Sequence, residues 1–383
     1  MSRQSRIKKK KKQKQKATTS IHKIIEMTKV VFLGPVGTYT HQAVLQQFKQ
    51  DDQADCAELI PLKTIPDCFS RVMEDESVDY CVVPFENSTN GQVVFTYDLI
   101  RDNIIDNLAN EDKLDAQKND SIAGSTETAH FATRIVPPLT IVAEQYVPIE
   151  HCLVTATQEL GELYSQQDND GDTEPVYENL YSHPQVWGQV SQYMENHLKG
   201  KFLNRIDCTS TAEAIKMALQ DYKLYGKKSL AIGSKIGAML NNAYIIQEGI
   251  NDLKGNTTRF LVLQKGGGLA LIKDPQSKEN QLLDIRQKMM TLLTFTTTRE
   301  GPGSLVDVLN IFQKYNINMT SISSRPLGSI NDKNWSYIFF VEYEYNTSLP
   351  WKAEILSQID AKCTFWCMWG VFNRNSAYYK SSS

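Results

Sequence analysis

The sequence contains no run of apolar residues near the roughly 18–20 that a membrane-spanning helix requires. Its first 16 residues, MSRQSRIKKKKKQKQK, are positively charged, but they lack the apolar stretch that follows the charged start of a secretory signal. The sequence therefore predicts a cytosolic protein with no membrane partner.

Cysteine and histidine are too sparse and too scattered to indicate a metal centre. The seven cysteines include no CxxC pair, and the closest two, Cys363 and Cys367, are typical of buried thiols in an aromatic strand. Three glycines at 266–268 are not followed by the lysine of a phosphate-binding loop, and GPVGTY lacks the glycine spacing of a dinucleotide site. We therefore expect no metal and no cofactor.

Positive charge is concentrated at the amino terminus. Residues 1–16 carry nine basic side chains and no acid, so that the net charge of −3 leaves −12 for the rest of the chain. Such an arm (residues 1–27) is typical of a disordered, solvated segment, although a nuclear address or weak nucleic-acid contact remains an alternative. An acidic body argues against nucleic acid as the main partner.

The body of the chain alternates strand-like and helix-like segments, which places it in the α/β class. KVVFLGP, AELIPL and Tyr80–Val83 are strand-like, and a helix opening at Thr64 lies between the last two. This βαβ rhythm predicts a parallel sheet covered by helices. We predict an α/β region over residues 28–265, with polar insertions near 101–134 and 165–178, the first as an insertion or mobile loop.

The end of the chain has a different organisation. Residues 266–288 are glycine-rich and charged, which is typical of a linker that separates two cores. Residues 289–373 read as strand, helix, strand, strand, helix, strand, the order of a ferredoxin-like βαββαβ domain.

The segment GNTTRFLVL raises the question of function. Thr258 could be present only for its strand propensity, or it could place a hydroxyl at the mouth of a strand, where α/β proteins bind ligands. Arg259 has two interpretations as well: it clamps a substrate carboxylate, or it pairs with an acid such as Glu86 and braces the site. Alternation along the strand should turn Arg259 away from Thr258.

Five segments in order resemble the prephenate dehydratase family: FLGPVGTYTHQA, VVPFENSTNGQV, YSHPQVWGQ, TSTAEA and NTTRFLVL, followed by the βαββαβ pattern. The resemblance covers roughly residues 29–372, apart from the insertions. It implies a two-lobed catalytic region similar to type II periplasmic binding proteins and a C-terminal ACT domain that senses phenylalanine. It also implies a lyase that converts prephenate to phenylpyruvate in phenylalanine biosynthesis, as a homodimer or homotetramer.

The resemblance also implies roles for particular residues. Thr258 matches the threonine whose hydroxyl assists departure of the ring hydroxyl, and a positioned donor is the chemistry that a threonine can supply. Ser182 is expected to cap a helix with Pro184 in its first turn. The expected substrate-binding residues are Tyr39, Glu86, Asn87, Ser88, Ser182, His183, Gln185, Ser210, Thr211, Arg259 and Phe260.

Two C-terminal stretches match the segments that bind phenylalanine between subunits in relatives. The expected effector residues are Gly303, Ser304, Leu305, Val306, Ser323, Ser324, Arg325 and Pro326. Ser323 stands where the family has glutamate, so we expect altered phenylalanine binding. The alternatives to prephenate dehydratase are arogenate dehydratase, a non-catalytic two-lobed binding protein with an ACT sensor, and an interaction protein that uses the basic arm.

Overall fold

The computed structural model describes residues 27–48, 57–119, 133–166, 176–266, 288–299, 301–328 and 336–379. The basic arm up to residue 26, the middle of the second polar insertion and most of the predicted linker lie outside these residues. No helix within the described ranges is both long and apolar enough to cross a membrane.

The strands are β1 (Thr28–Leu33), β2 (Ala57–Leu62), β3 (Tyr80–Asn87), β4 (Gly91–Gln92), β5 (Thr133–Arg134), β6 (Leu139–Pro148), β7 (His151–Thr155), β8 (Tyr177–Ser182), β9 (Phe202–Asp207), β10 (Ser229–Ser234), β11 (Tyr244–Gln247), β12 (Thr257–Lys265), β13 (Met289–Thr297), β14 (Met319–Pro326), β15 (Tyr337–Tyr345) and β16 (Cys363–Asn373).

The helices are α1 (Tyr39–Phe48), α2 (Ile65–Glu74), α3 (Val94–Asn119), α4 (Gln158–Gln166), α5 (Pro184–Trp187), α6 (Ser191–Tyr193, continued by a π-helical turn, Met194–Leu198), α7 (Thr211–Tyr225), α8 (Lys235–Leu240), α9 (Ser304–Lys314) and α10 (Leu356–Asp360, preceded by a π-helical turn, Trp351–Ile355); a 3₁₀ turn follows at Ser376–Tyr379.

The first lobe is built on a sheet with the strand order β2-β1-β3-β12-β6, with β4 paired to β3. Strands β1, β2 and β3 are parallel, as the βαβ rhythm predicts, whereas β12 runs antiparallel between β3 and β6. Along β12, Phe260 and Val262 pack on one face of the sheet, and Leu261 and Leu263 on the other. Both faces are therefore covered, and α2 begins at the predicted Thr64, whose hydroxyl caps Asp67 N at 3.1 Å.

The second lobe carries its own sheet, in the order β11-β7-β10-β8-β9. Its long helix α7 follows the predicted pattern: Ser210 caps Glu213 N at 3.0 Å, and Gly226 ends the helix with φ 65°. The chain passes between the lobes twice, from β6 to β7 and from β11 to β12. A two-lobed α/β region confirms the predicted fold class.

The C-terminal domain has the strand order β14-β15-β13-β16, all antiparallel, which is the ferredoxin-like arrangement. Its sheet does not stand apart from the first lobe. Phe340, Phe365 and Trp369 share one buried cluster with Phe85 and Tyr97 of the first lobe, and the Tyr97 and Phe340 rings are 5.0 Å apart. The expectation that the glycine-rich segment separates two cores is therefore wrong.

Glycine at position 370 makes this contact possible. Gly370 has φ 127°, and a Cβ there would collide with the carbonyl oxygen of Ile141 in β6. Strand β16 consequently packs backbone-close against β6, and β5 extends the C-terminal sheet by pairing with β16. Residues between the first lobe and the C-terminal domain thus form one apolar cluster.

Two other expectations also need correction. Residues 101–119, expected to belong to an insertion or mobile loop, lie in α3, while residues 120–132 fall outside the described ranges. The helix predicted from Ser182 is broken at Gly188–Val190, and its cap is His183, whose Nδ1 accepts from Gln185 N at 3.3 Å. The β8 strand continues through Ser182 because its hydroxyl donates to the carbonyl of Ile232 in β10 at 2.9 Å.

Candidate active site

The end of β3 and the start of β12 meet at the mouth of the first sheet. Asn87 stands opposite Thr258 in the antiparallel ladder, and Arg259 stands opposite Glu86. A bulge follows, because Phe260 pairs with Pro84 and leaves Phe85 as an extra residue in β3. Thr258 and Asn87 are therefore neighbours across two strands, although they are far apart in sequence.

The orientation of the Asn87 amide is fixed by its own turn. Its Oδ1 accepts from the backbone N–H groups of Thr89 (3.0 Å) and Asn90 (2.9 Å). Its Nδ2 must then face the strand, where it donates to Thr258 Oγ1 at 2.9 Å and to Asn256 Oδ1 at 2.7 Å. Because Thr258 accepts this bond, its hydroxyl proton is directed away from Asn87 and can be donated elsewhere.

Arg259 lies in a buried cluster of charges on the other face of β12. Its Nη1 and Nη2 bind both oxygens of Glu342 in β15 at 2.7 and 2.6 Å, and its Nε binds Glu144 of β6 at 2.8 Å. Arg374, just after β16, also reaches Glu144 at 3.3 Å. Two guanidiniums and two carboxylates thus connect β12 and β6 of the first lobe with the C-terminal domain.

The charge of Arg259 is held by its partners. Burial alone would lower its pKa, but Glu342 and Glu144 raise the pKa well above its usual value. Glu86 is 4.0 Å from Arg259, and burial raises the pKa of this half-exposed carboxyl. Of the two sequence-based interpretations of Arg259, the geometry favours the brace, with Glu342 and Glu144 as its main partners.

Polar groups next to this cluster enclose a cavity of about 280 Å³. Its lining includes Ser88, whose hydroxyl accepts from Thr257 N at 2.9 Å, and Thr257 itself. Ser88 therefore ties the β3 turn to the start of β12 on the side of Arg259.

The remaining expected binding residues occupy different environments. Ser182 is fully buried, and its hydroxyl is bonded to Ile232, so it supports β10. Phe260 is 2% exposed and fills the core beneath Thr258. His183 is half-buried, with a pKa lowered by burial, and Gln185 is exposed.

The loop after β1 brings Gly37 and Tyr39 into contact with the second lobe. Gly37, at φ 94°, lies so close to Gly237 that a Cβ would be 3.1 Å from its Cα, and Gly37 O accepts from Ser234 Oγ at 2.7 Å. Tyr39 donates its hydroxyl to Glu150 O at 2.9 Å. The loop after β1 also lies beside Ala212, so Ser210 and Thr211, at the start of α7, are near this junction.

Two of the expected effector residues, Ser323 and Arg325, contact the first lobe. Ser323 donates to Gln92 Oε1 at 3.0 Å, and Arg325 binds both oxygens of Asp98 at 2.8 and 3.0 Å. Gly303, with φ 86°, is the N-cap of α9, which begins with Ser304 and Leu305, and Val306 is exposed. Ser324 and Pro326 complete β14, an edge strand of its sheet.

Sequence reasoning did not find several residues that contact the site. Asn256 had a signal in the Gly- and Asn-rich approach to β12, but its partner Gln189 and the charged residues Glu144 and Glu342 had none. Gln189, Glu144 and Glu342 come from distant parts of the chain, so pattern along the sequence does not bring them to Asn256 or Arg259. Within the described residues, no group of three or more His, Cys, Asp or Glu side chains is placed to hold a metal ion.

A model of the prephenate dehydratase family matches residues 30–267, more than half of the chain. The chain belongs to the prephenate dehydratase family. It is 42% identical over 363 residues to a probable prephenate dehydratase of Saccharomyces cerevisiae, with 92% of this chain and 98% of the yeast protein covered.

Solved structures share the fold of this family member. The structure of an Arthrobacter aurescens prephenate dehydratase in complex with L-Phe has a TM-score of 0.62, at 22% identity and with 93% and 92% of the two chains covered. A protein described as a novel type of quorum quenching acylase has a TM-score of 0.61, at 19% identity and with 92% and 99% covered. Since one fold serves both descriptions, the activity must be argued from the site and the family.

Proposed function

We propose that this chain is a prephenate dehydratase that converts prephenate to phenylpyruvate, carbon dioxide and water. The observation that carries the proposal is the Thr258–Asn87 pair, in which the amide donates to the hydroxyl at 2.9 Å and leaves the threonine proton for the substrate. A binding protein without catalysis would have no chemical use for a threonine oriented as a donor.

The reaction requires a proton at the ring hydroxyl, which leaves as water. The bond between the ring and the departing carboxylate breaks, its electron pair completes the aromatic ring, and the ring hydroxyl leaves with one added proton as water. Thr258 passes its hydroxyl proton to that leaving oxygen and is reprotonated from solvent, so that one solvent proton is consumed in each turnover. Aromatisation supplies the driving force, and removing water from the departing carboxylate favours the loss of its charge as carbon dioxide.

We place the substrate between the two lobes, against Thr258 and Asn87. His183, Gln185, Ser210 and Thr211 remain candidates for holding its carboxylates from the second lobe. Arg259 and Glu86 act from the other face of the sheet as supports, and Ser182 and Phe260 act through packing.

The test of this function uses purified protein with prephenate and follows phenylpyruvate, with arogenate as a competing substrate. Phenylpyruvate formation that arogenate inhibits weakly is the expected result. Conversion of arogenate to phenylalanine at the higher kcat/KM would assign the chain to arogenate dehydratase, and no conversion of either would contradict the proposal.

We further propose that the C-terminal domain is an ACT domain that binds phenylalanine between subunits of a homodimer or homotetramer. Edge strand β14 carries exposed Met319 and Ile322, which supports pairing with a second copy. Ser304 lines a cavity of about 180 Å³ beside α9.

Contacts from the effector segment offer a route to the catalytic strand. Ser323 binds Gln92, and Gln92 pairs with Glu86 in the short β3–β4 ladder, one residue from Asn87. A ligand that favours one arrangement of Ser323 over another therefore changes the support of Asn87.

The regulatory proposal is tested by the dehydratase rate as a function of phenylalanine concentration in the full-length protein and in Arg325→Met. We expect inhibition in the full-length protein and a weaker response in the variant, because Arg325 fixes β14 to Asp98. A wild-type rate that does not respond to phenylalanine would contradict it.

A further inference from the structure

A continuous chain of side-chain hydrogen bonds runs from Thr258 into the second lobe. Beyond Asn87, Asn256 Nδ2 is 3.2 Å from Gln189 Oε1, and Gln189 Oε1 is 2.8 Å from His151 Nε2. His151 Nδ1 is 3.0 Å from the Tyr39 hydroxyl, which belongs to the first lobe again. We call these six residues the interlobe chain: Thr258, Asn87, Asn256, Gln189, His151 and Tyr39.

Each donor in the interlobe chain follows from the one before it. The turn at Thr89 and Asn90 forces Asn87 to donate, so Asn256 accepts with its oxygen and must donate with its nitrogen. Gln189 accepts that bond with Oε1, and the same oxygen can face His151 favourably only if Nε2 carries a proton. The chain thus requires the Nε2–H tautomer of His151, which leaves Nδ1 as an acceptor. The Tyr39 hydroxyl, 2.9 Å from Glu150 O and 3.0 Å from Nδ1, then shares its one proton between these two acceptors.

The members of the chain are held firmly. His151 and Asn256 are 1% and 6% exposed. Gln189 sits at the break between α5 and α6, where its backbone N–H donates to Val186 O and its carbonyl accepts from Asp252 N, at 2.8 and 2.9 Å. Burial lowers the pKa of His151, which keeps the ring neutral near neutral pH.

We infer that Asn256, Gln189 and His151 are positioning residues: when the two lobes are in contact, they hold Asn256 Oδ1 in place as the acceptor of Asn87 Nδ2, and so steady the amide that its own turn has directed toward Thr258. This inference rests on the proposed dehydratase function. Neutral groups alone thereby link the His151 ring of the second lobe to the Thr258 hydroxyl of the first lobe when the lobes are in contact.

The first test does not depend on activity. Nitrogen-15 NMR of the histidine rings near pH 7.5, with His151→Gln to assign the signal, should show His151 as the Nε2–H tautomer. An Nδ1–H tautomer would overturn the inference. A wild-type protein inactive on prephenate would overturn the proposed function but would leave this result standing.

The second test separates kcat from KM. Gln189→Met removes the shared acceptor and should lower kcat roughly 10-fold, the scale of one hydrogen bond, with KM nearly unchanged. Gln189→Glu keeps both acceptor contacts and should recover most of kcat. Gln192→Met, an exposed glutamine in α6, is the matched control and should behave as wild type.

A third test compares two substitutions of His151 that place an amide nitrogen at different positions of the ring. A glutamine at 151 can place an N–H where Nε2 lies, whereas an asparagine reaches only as far as Nδ1. His151→Gln should therefore keep most of kcat, and His151→Asn should lose roughly 10-fold. Equal kcat in the two variants, or a rise in KM at constant kcat in Gln189→Met, would overturn the positioning role.

Discussion

Thr258 and Arg259 are adjacent in β12, yet they connect this strand to two different parts of the molecule. Thr258 faces neutral amides and, through Asn256 and Gln189, the second lobe. Arg259 faces two buried carboxylates, one of them from the C-terminal domain. Because side chains alternate along β12, neutral hydrogen bonds lead from Thr258 to the second lobe, and ion pairs lead from Arg259 to the C-terminal domain.

The chemistry of each connection suits a different kind of movement. Hydrogen bonds between neutral amides can be exchanged for bonds to water at small net cost when the lobes part. Separating the buried ions would leave unpaired charges in the interior, which is far more costly. We therefore expect the second lobe to separate from the first lobe more readily than the C-terminal domain does.

We expect the largest effect from removing the C-terminal domain, to which Arg259 and the shared core connect the first lobe. Deletion from residue 282 onward would expose Phe85, Tyr97 and Ile141, which share their core with β15 and β16. We expect little soluble, folded protein, measured by size-exclusion chromatography and circular dichroism. A monodisperse, active dehydratase after this deletion would contradict the shared core.

Breaking the ion pair within the intact chain should have the next largest effect. Arg259→Met leaves Glu342 and Glu144 without their main cation and should cost roughly 3–5 kcal/mol of unfolding free energy, measured by urea denaturation. The double variant Arg259→Met/Glu342→Met removes one charge of each sign and should be more stable than the single variant. Glu195→Gln, in the exposed Lys199–Glu195 pair, is the control and should show no measurable change.

A smaller effect, on kcat/KM, is expected from breaking the neutral hydrogen bond between Asn87 and Thr258. Asn87→Ala removes the donor that orients Thr258 and should cost on the order of 1–3 kcal/mol in kcat/KM, with both kcat and KM affected. Asn90→Ala, an exposed neighbour in the same turn, serves as the control. Unchanged kinetics in Asn87→Ala would place the chemistry elsewhere.

Much of the fold could be predicted from local patterns. The β-branched strands, the caps at Thr64 and Ser210 and the βαββαβ order are set by residues close in sequence. The shared core could not be predicted, because apolar residues in β15 and β16 show that a face is buried without showing what buries it. Gly370 in particular is ordinary in sequence and becomes informative only beside Ile141.

The site was predictable to a similar degree. Thr258 and Asn87 lie in recognisable motifs, and alternation correctly turned Arg259 away from Thr258. The sequence predicts Ser182 as a helix cap because serine is a favoured N-cap residue, but its hydroxyl donates across the sheet to Ile232 O instead. Partners such as Gln189 and Glu342 come from tertiary contacts that no spacing in the sequence records.

The most direct measurement is the turnover of prephenate by Thr258→Ala and Thr258→Ser beside the wild type, with thermal unfolding as the check on folding. Removal of the hydroxyl should lower kcat by roughly 10²–10⁴-fold, the usual scale for losing an acid catalyst, at a nearly unchanged melting temperature. Serine keeps the hydroxyl and should retain much more of the rate. A Thr258→Ala protein that turns prephenate over at the wild-type rate would contradict the account.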